Sequence, residues 1–195
     1  MELCHSTVVR RALLAGIALL CLGISNAASA DDAPVQAMWA TKKLNFTFMG
    51  FTARYSCDGL LDKVRKILLD LGARPGPDLK VGPTGCDRGF GTPSRFPGVA
   101  GTVQVLVPLD DKAPPPETQP VNAQWQSVVI APRGEPLNAA GDCELTEQIK
   151  QRILPLFTSR NVEYSSTCIP YQLQVGGTRL KAEVLRAEQP PPKAP

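Results

Sequence analysis

Two arginines and two phenylalanines in a short glycine- and proline-rich stretch are the residues best suited to bind another molecule. Residues 87–98 read DRGFGTPSRFPG and directly follow a cysteine. Guanidinium groups grip carboxylates or phosphates, and exposed aromatic rings anchor interfaces. The alternative is a surface loop whose phenylalanines fold back onto a sheet edge. The candidate binding residues are Arg88, Phe90, Arg95 and Phe96.

The residue sets of common catalytic and metal sites are missing from the sequence. The only histidine, His5, lies in an N-terminal segment that we expect to be removed, so the mature chain lacks a Ser-His-Asp or Cys-His site. Gly-x-Ser-x-Gly, Ser-x-x-Lys, Walker and Cys-x-x-Cys motifs are also missing. The sequence therefore predicts no catalytic residue, no cofactor and no metal. A zinc site built from four cysteines is the disfavoured alternative.

Carboxylates occur in pairs at the starts of two predicted helices. Asp58 and Asp62 lie four residues apart, and Glu144 and Glu147 lie three apart. One interpretation is a pair of acids that act on a substrate. The favoured interpretation is negative charge that stabilises a helix N-terminus.

Four cysteines bracket two similar stretches of the chain, residues 57–86 and 143–168. Each stretch has apolar residues at helical spacing, then a short run typical of a strand, then a cysteine. A helix of about fifteen residues is roughly 22 Å long, and a strand of about seven residues returns over that distance. This geometry favours the pairs Cys57–Cys86 and Cys143–Cys168, with cross-pairing between the two stretches as the alternative.

The N-terminus has the features of a secretory signal peptide. Arg10 and Arg11 precede an apolar run at 12–24, and Ala28-Ser29-Ala30 supplies a cleavage site. We therefore expect a periplasmic or secreted protein, cleaved near Ala30, with no retained transmembrane segment. The paired arginines also permit twin-arginine export. Removing residues 1–30 changes the formal net charge only from +3 to +2, which does not indicate a nucleic-acid partner.

Local patterns predict where the strands and helices lie. Alternating apolar residues predict a strand over 44–55 with a bulge at Met49-Gly50, preceded by a mobile leader over 31–40. Pro155 should end or kink the second helix near Leu154. Gly176-Gly177 predicts a hairpin between strands at 171–175 and 178–185. Aromatic side chains predicted to lie in the core are Phe46, Phe48, Tyr55 and Trp125.

The predicted fold class is α+β. Two tandem β-α-β-β units would share one antiparallel or mixed sheet with both helices on one face, in the style of ferredoxin-like folds. Two small side-by-side domains are the alternative. The predicted organisation is a signal peptide (1–30), a first unit (31–107), a proline-rich linker (108–120), a second unit (121–187) and a disordered tail (188–195).

These features favour an exported, disulfide-stabilised cell-envelope protein that binds a partner protein or a small ligand and is not an enzyme. Two alternatives remain. One is a small secreted hydrolase that uses carboxylate or tyrosine chemistry without histidine. The other is an inhibitor of a secreted hydrolase, which needs a rigid loop fixed at its base by a disulfide.

Overall fold

The computed structural model describes residues 33–51, 53–87, 91–109, 119–131, 142–169 and 177–188. The predicted signal peptide, the hairpin strand at 171–175 and most of the linker and tail lie outside these residues. Neither helix in the described ranges is long and apolar enough to cross a membrane. The elements, in chain order, are β1 (Val35–Thr47), α1 (Cys57–Asp70), β2 (Lys80–Thr84), β3 (Gly98–Pro108), β4 (Val121–Ile130), α2 (Asp142–Gln148), β5 (Ser159–Ser166) and β6 (Thr178–Ala187).

The six strands form one sheet in the order β2-β3-β1-β4-β6-β5, and every neighbouring pair is antiparallel. The predicted α+β class is therefore confirmed, and the sheet is antiparallel rather than mixed. The ferredoxin-like comparison is not confirmed, because the β-α-β-β-α-β motif has four strands.

Both helices pack on the sheet in one apolar cluster. Leu60, Val64 and Ile67 of α1 have no solvent exposure, and neither do Leu145 of α2 and Ile149 just after it. These side chains recur at helical spacing, which gives each helix one apolar face. The predicted core aromatics Phe46, Phe48 and Tyr55 belong to the same cluster.

The ends of the helices follow from local sequence. The Ser56 hydroxyl accepts the Gly59 N–H at 3.2 Å and caps the start of α1. Gly72 follows α1 with a positive φ of 94°, a conformation that costs little only for glycine. After α2, a π turn at Ile149–Ile153 and a 3₁₀ turn at Leu154–Leu156 end the helical segment, where Pro155 predicted its end.

The first strand differs from its predicted position. β1 begins at Val35 and ends at Thr47, so residues 35–40 are not a leader, and residues 48–51 and 53–55 are not strand. Residues 37–47 pair continuously with β3, and residues 35–37 pair with β4, which gives the early segment its hydrogen-bond partners. Beyond Thr47 the backbone turns toward α2, and the predicted bulge at Met49-Gly50 is the exit from the sheet.

A second, smaller apolar cluster lies on the sheet face opposite α1 and α2. Strand alternation places its members opposite the core residues of the same strands. Ala37, Leu106, Ala123 and Leu185 are buried there, and Trp39 and Trp125 are partly buried beside them. We call this surface the tryptophan face; its residues are Ala37, Trp39, Leu106, Ala123, Trp125 and Leu185.

Candidate binding site at the disulfide end

Two disulfides lie at the starts of the two helices, and we call this part of the molecule the disulfide end. Cys57–Cys86 joins the first turn of α1 to the segment after β2, with Cα atoms 5.9 Å apart. Cys143–Cys168 joins the first turn of α2 to the segment after β5, with Cα atoms 6.2 Å apart. The predicted pairing is therefore present. Each disulfide therefore holds the segment that follows a strand against the N-terminus of a helix.

The segment between β1 and α1 rests on the side chains of α2. The Gln148 side chain accepts the Met49 N–H at 3.1 Å and donates to the Met49 carbonyl at 2.8 Å. The Phe51 N–H donates to the Glu144 carboxylate at 3.0 Å. Glu144 thus has a structural contact, which supports the non-catalytic interpretation of the acids at this helix start.

Tyr55, Asp142 and Lys63 form a buried polar cluster between the two helices. The Tyr55 hydroxyl donates to Asp142 Oδ1, and Lys63 Nζ lies 3.3 Å from Asp142 Oδ2. The Asp142 side chain has no solvent exposure, and its charge therefore needs these partners. The Tyr55 ring also packs edge-on against Phe48, with centroids 4.8 Å apart. Tyr55 was predicted to lie in the core, but no local pattern in the sequence indicates that a carboxylate from the second helix contacts it.

Burial raises the pKa of Tyr55, and the hydrogen bond to Asp142 and the negative charges of Asp142 and Glu144 raise it further. An unfolded tyrosine ionises near its ordinary pKa of 10.0, whereas the folded protein keeps Tyr55 protonated. The resulting stabilisation is fully present below that pH and is lost as pH rises above it, at up to about 1.4 kcal/mol per pH unit.

We therefore expect Tyr55→Phe to remove one component of alkaline destabilisation. Urea unfolding of both proteins, from about pH 8 to about pH 11, measures it, because every other ionisable group is the same in the two proteins. The advantage of the wild-type protein over the variant should shrink above the ordinary tyrosine pKa. Two parallel stability curves would show that Tyr55 ionises equally easily in both states.

The arginine- and phenylalanine-bearing loop is anchored to the start of α1. The Gly91 N–H donates to Asp58 Oδ1 at 2.9 Å, and the Ser94 N–H donates to the Tyr55 carbonyl at 3.1 Å. The Gly91 N–H, followed by the Ser56 hydroxyl, holds the pKa of Asp58 below its usual range. Asp58 therefore anchors a loop, which is a structural role for the predicted acid pair.

Two of the four predicted binding residues fall within the described part of this loop. The Arg95 guanidinium lies 5.2 Å from the Phe96 ring centroid, and Phe96 is 49% exposed. The ring therefore does not fold back onto the sheet edge. Arg88 and Phe90 lie outside the described residues. An open pocket of about 420 Å³ is lined by Gly85, Cys86, Asp87, Arg95 and Phe96.

Exposed apolar side chains concentrate around this loop. Phe51 is 77% exposed, and Met49 is 53% exposed. Both follow Phe48, whose N–H donates to the Pro97 carbonyl at 2.9 Å, so their segment lies beside the one carrying Phe96. Met49 and Phe51 were not among the predicted binding residues, because the alternation of apolar residues around them predicted a strand. The glycine at position 50 was the signal that the strand ends there.

The exposed side chains at this end are of types that can support binding. Within the described ranges, no group of three or more histidine, cysteine, aspartate or glutamate side chains could hold a metal ion. Guanidinium, phenyl and thioether groups recognise other surfaces through stacking, ion pairing and apolar burial. No family model, no curated protein and no solved structure matches the chain.

Proposed function

We propose that this chain is an exported, non-enzymatic binding protein whose disulfide end contacts a partner protein. The observation that carries the proposal is the exposure of Phe51 and Phe96 on two adjacent, anchored segments. Large apolar side chains in contiguous exposed patches mark interaction sites, and aromatic anchors dominate binding energies. Arg95 beside Phe96 adds a cation that selects an acidic or carbonyl-rich partner surface.

Export is supported by two features of different kinds. The N-terminal apolar run and Ala28-Ser29-Ala30 have the pattern of a cleavable signal. Two disulfides link the four cysteines that follow this segment, and such bonds persist in oxidising compartments. We place the mature protein in the periplasm or outside the cell.

The proposal also includes an internal duplication of a strand-helix-strand-strand unit. Cys57 and Cys143, Trp39 and Trp125, and Gln36 and Asn122 are each separated by 86 residues. The last two meet directly, because the Gln36 side chain donates to Asn122 Oδ1 at 2.5 Å. The equal spacing of these residue pairs supports a duplication of one unit. The hydrogen bond between Gln36 and Asn122 joins equivalent positions of the two copies.

A photo-crosslinking side chain at position 51 or 96 tests the proposed surface. In the full-length protein, expressed in its own cells, we expect protein adducts from both positions. The matched control is position 162, because Val162 is also an exposed apolar residue, at 43%, on β5. Equal adducts at all three positions, or none at 51 and 96, would contradict the proposal. A secreted hydrolase among the adducts, inhibited by the purified protein, would favour the inhibitor alternative.

Replacement of the anchors should then weaken the contact. We expect Phe51→Ser, and separately Phe96→Ser, to reduce affinity for the crosslinked partner by about tenfold or more, as for an interface hot spot. Val162→Ser should leave the affinity unchanged. The measurement is calorimetric titration of the purified partner, with urea unfolding of each variant as the check on folding. Unchanged affinity in both phenylalanine variants would exclude these side chains as anchors.

A further inference from the structure

The sheet has open strand edges at its centre as well as at its two sides. β1 and β4 pair only through residues 35–37 and 121–123. Because the two strands are antiparallel, β1 continues from these pairs in one direction and β4 in the other. Within the described ranges, residues 124–130 pair with β6 on one side and with no strand on the other. β4 therefore has a free edge in the middle of the sheet.

The hydrogen-bonding pattern of β4 shows which backbone groups this edge presents. The Glu188 N–H donates to the Asn122 carbonyl at 2.9 Å, so the even-numbered residues of β4 face β6. Backbone groups of successive strand residues point to opposite sides. Trp125, Ser127 and Val129 therefore direct their N–H and C=O groups toward the open side. Ser127 is exposed and Val129 is 47% exposed, so this edge is accessible.

The other three edges in the described part of the sheet carry features that oppose further pairing. Native proteins protect edge strands with short length, prolines, bulges and charged side chains. β2 has five residues and contains Pro83, which lacks an N–H. β5 has a pairing irregularity around Asn161, whose φ of 51° is positive. β1 exposes Lys42 and Lys43 along its free edge.

β4 has none of these protective features. Its sequence, VNAQWQSVVI from Val121 to Ile130, contains no charged residue and no proline, and its pairing with β6 is continuous over residues 123–130. Uncharged strands rich in β-branched and aromatic residues pair readily with other strands when an edge is exposed. An unprotected edge in a protein that protects its other edges indicates that a further strand covers β4.

We infer that this edge pairs with the same edge of a second copy of the chain, across a two-fold axis. Residues 124–130 of the two copies lie antiparallel about Ser127, so the outward N–H and C=O groups of each strand bond to those of the other. Val129 of one copy then lies opposite Trp125 of the other, and aromatic and β-branched residues form stabilising cross-strand pairs. The exposed Val129 side chain becomes covered in this contact.

Symmetry favours a second copy over other occupants. A strand from a different protein would cover β4 but would present its own far edge, whereas two-fold pairing uses both free edges and closes the assembly. Pairing of β4 with β1 of a second copy would build an open filament, and the exposed Lys42 and Lys43 oppose it. Self-pairing of the uncharged β4 edge brings no like charges together.

The mass of the protein in solution tests the inference. In sedimentation equilibrium of the purified, oxidised protein, we expect the mass to rise with concentration from that of one chain to that of two. A mass of one chain at every concentration, or masses that grow beyond two chains, would overturn it. Phe51→Ser should dimerise like the wild-type protein, so a failure of the disulfide-end proposal is distinguishable from a failure of this one.

Two exposed valines supply a matched pair of charge variants. Val129→Lys places a charge on the free edge of β4, and we expect it to raise the dissociation constant of the dimer by about tenfold or more. Val162→Lys makes the same change at a similarly exposed valine of β5 and should leave the constant unchanged. Equal effects in both would reduce the result to net charge and overturn the assignment to β4.

A cysteine at the two-fold axis tests the strand register independently of charge. Ser127→Cys places two thiols directly opposite each other, where Cα atoms about 5.5 Å apart lie within the range of a disulfide. We expect oxidation with copper phenanthroline to yield a covalent dimer. Val129→Cys, which lies opposite Trp125 and not opposite itself, should yield much less. Equal cross-linking of the two variants, or none with Ser127→Cys, would overturn the pairing.

Discussion

Removal of either disulfide is expected to lower the free energy of unfolding by about 3.5 kcal/mol, the chain-entropy estimate for loops of this length. The bridged cysteines are separated by 29 and 25 residues, so the two effects should be nearly equal. Small domains have total stabilities of about 5–15 kcal/mol, so either loss is large. Urea unfolding of Cys57→Ala with Cys86→Ser, and of Cys143→Ala with Cys168→Ser, measures them.

The reduced wild-type protein is the control for this prediction. Cys57 is fully buried, so its replacement also removes packing, whereas reduction opens the cross-link and retains the sulfur atoms. We expect the fully reduced protein to lose about as much stability as both bridges contribute together. If oxidised and reduced protein unfold at the same urea concentration, the disulfides do not stabilise this fold.

The periodic segments of the sequence predicted the local elements well. The apolar spacing of Leu60, Val64 and Ile67 indicates a helix between Cys57 and Cys86, and α1 lies there, with Ser56 as its observed cap and Gly72 just past its end. The helix-and-return-strand geometry also predicted the cysteine pairs, since a helix and the strand that follows it cover similar distances. Such features depend on residues close in sequence, so a single chain contains the information.

The long-range contacts could not be predicted in this way. β1 begins at Val35, well before the strand that alternation predicted from residue 44, because β3 and β4 satisfy the backbone hydrogen bonds of this early segment. Pairing with distant strands, and not the local sequence pattern, therefore determines where β1 begins. The meeting of Asp142 with Tyr55 depends on how α1 and α2 sit on the sheet, and no local pattern encodes it.

The candidate binding site also contains some residues that local sequence predicts and others that only long-range contacts bring together. Composition marked Arg95 and Phe96 as binding residues, because glycine, proline, arginine and phenylalanine together indicate a functional loop. The exposure of Phe51 follows instead from the hydrogen bonds of its segment to Glu144 and Gln148, which lie in α2. The tryptophan face likewise requires the β1–β4 register, which joins two distant parts of the chain.

Asp142→Asn is expected to destabilise the protein by about 2–4 kcal/mol, because it removes one charge of a buried ion pair and weakens the acceptor of the Tyr55 hydroxyl. Asp142 is fully buried, and Lys63 is largely so. The matched control is Glu163→Gln, which breaks the exposed pair with Lys181 and should cost less than about 1 kcal/mol. Urea unfolding at neutral pH measures both.

A double-mutant cycle with Lys63→Met separates the ion pair from the Tyr55 hydrogen bond. Because each single change disrupts the same pair, the double variant should lose less stability than the sum of the single losses, with a coupling energy of about 0.5–3 kcal/mol. Additive losses would show that Lys63 and Asp142 stabilise the fold independently. A loss below about 0.5 kcal/mol in Asp142→Asn, within the range of ordinary surface substitutions, would contradict the structural role of this cluster.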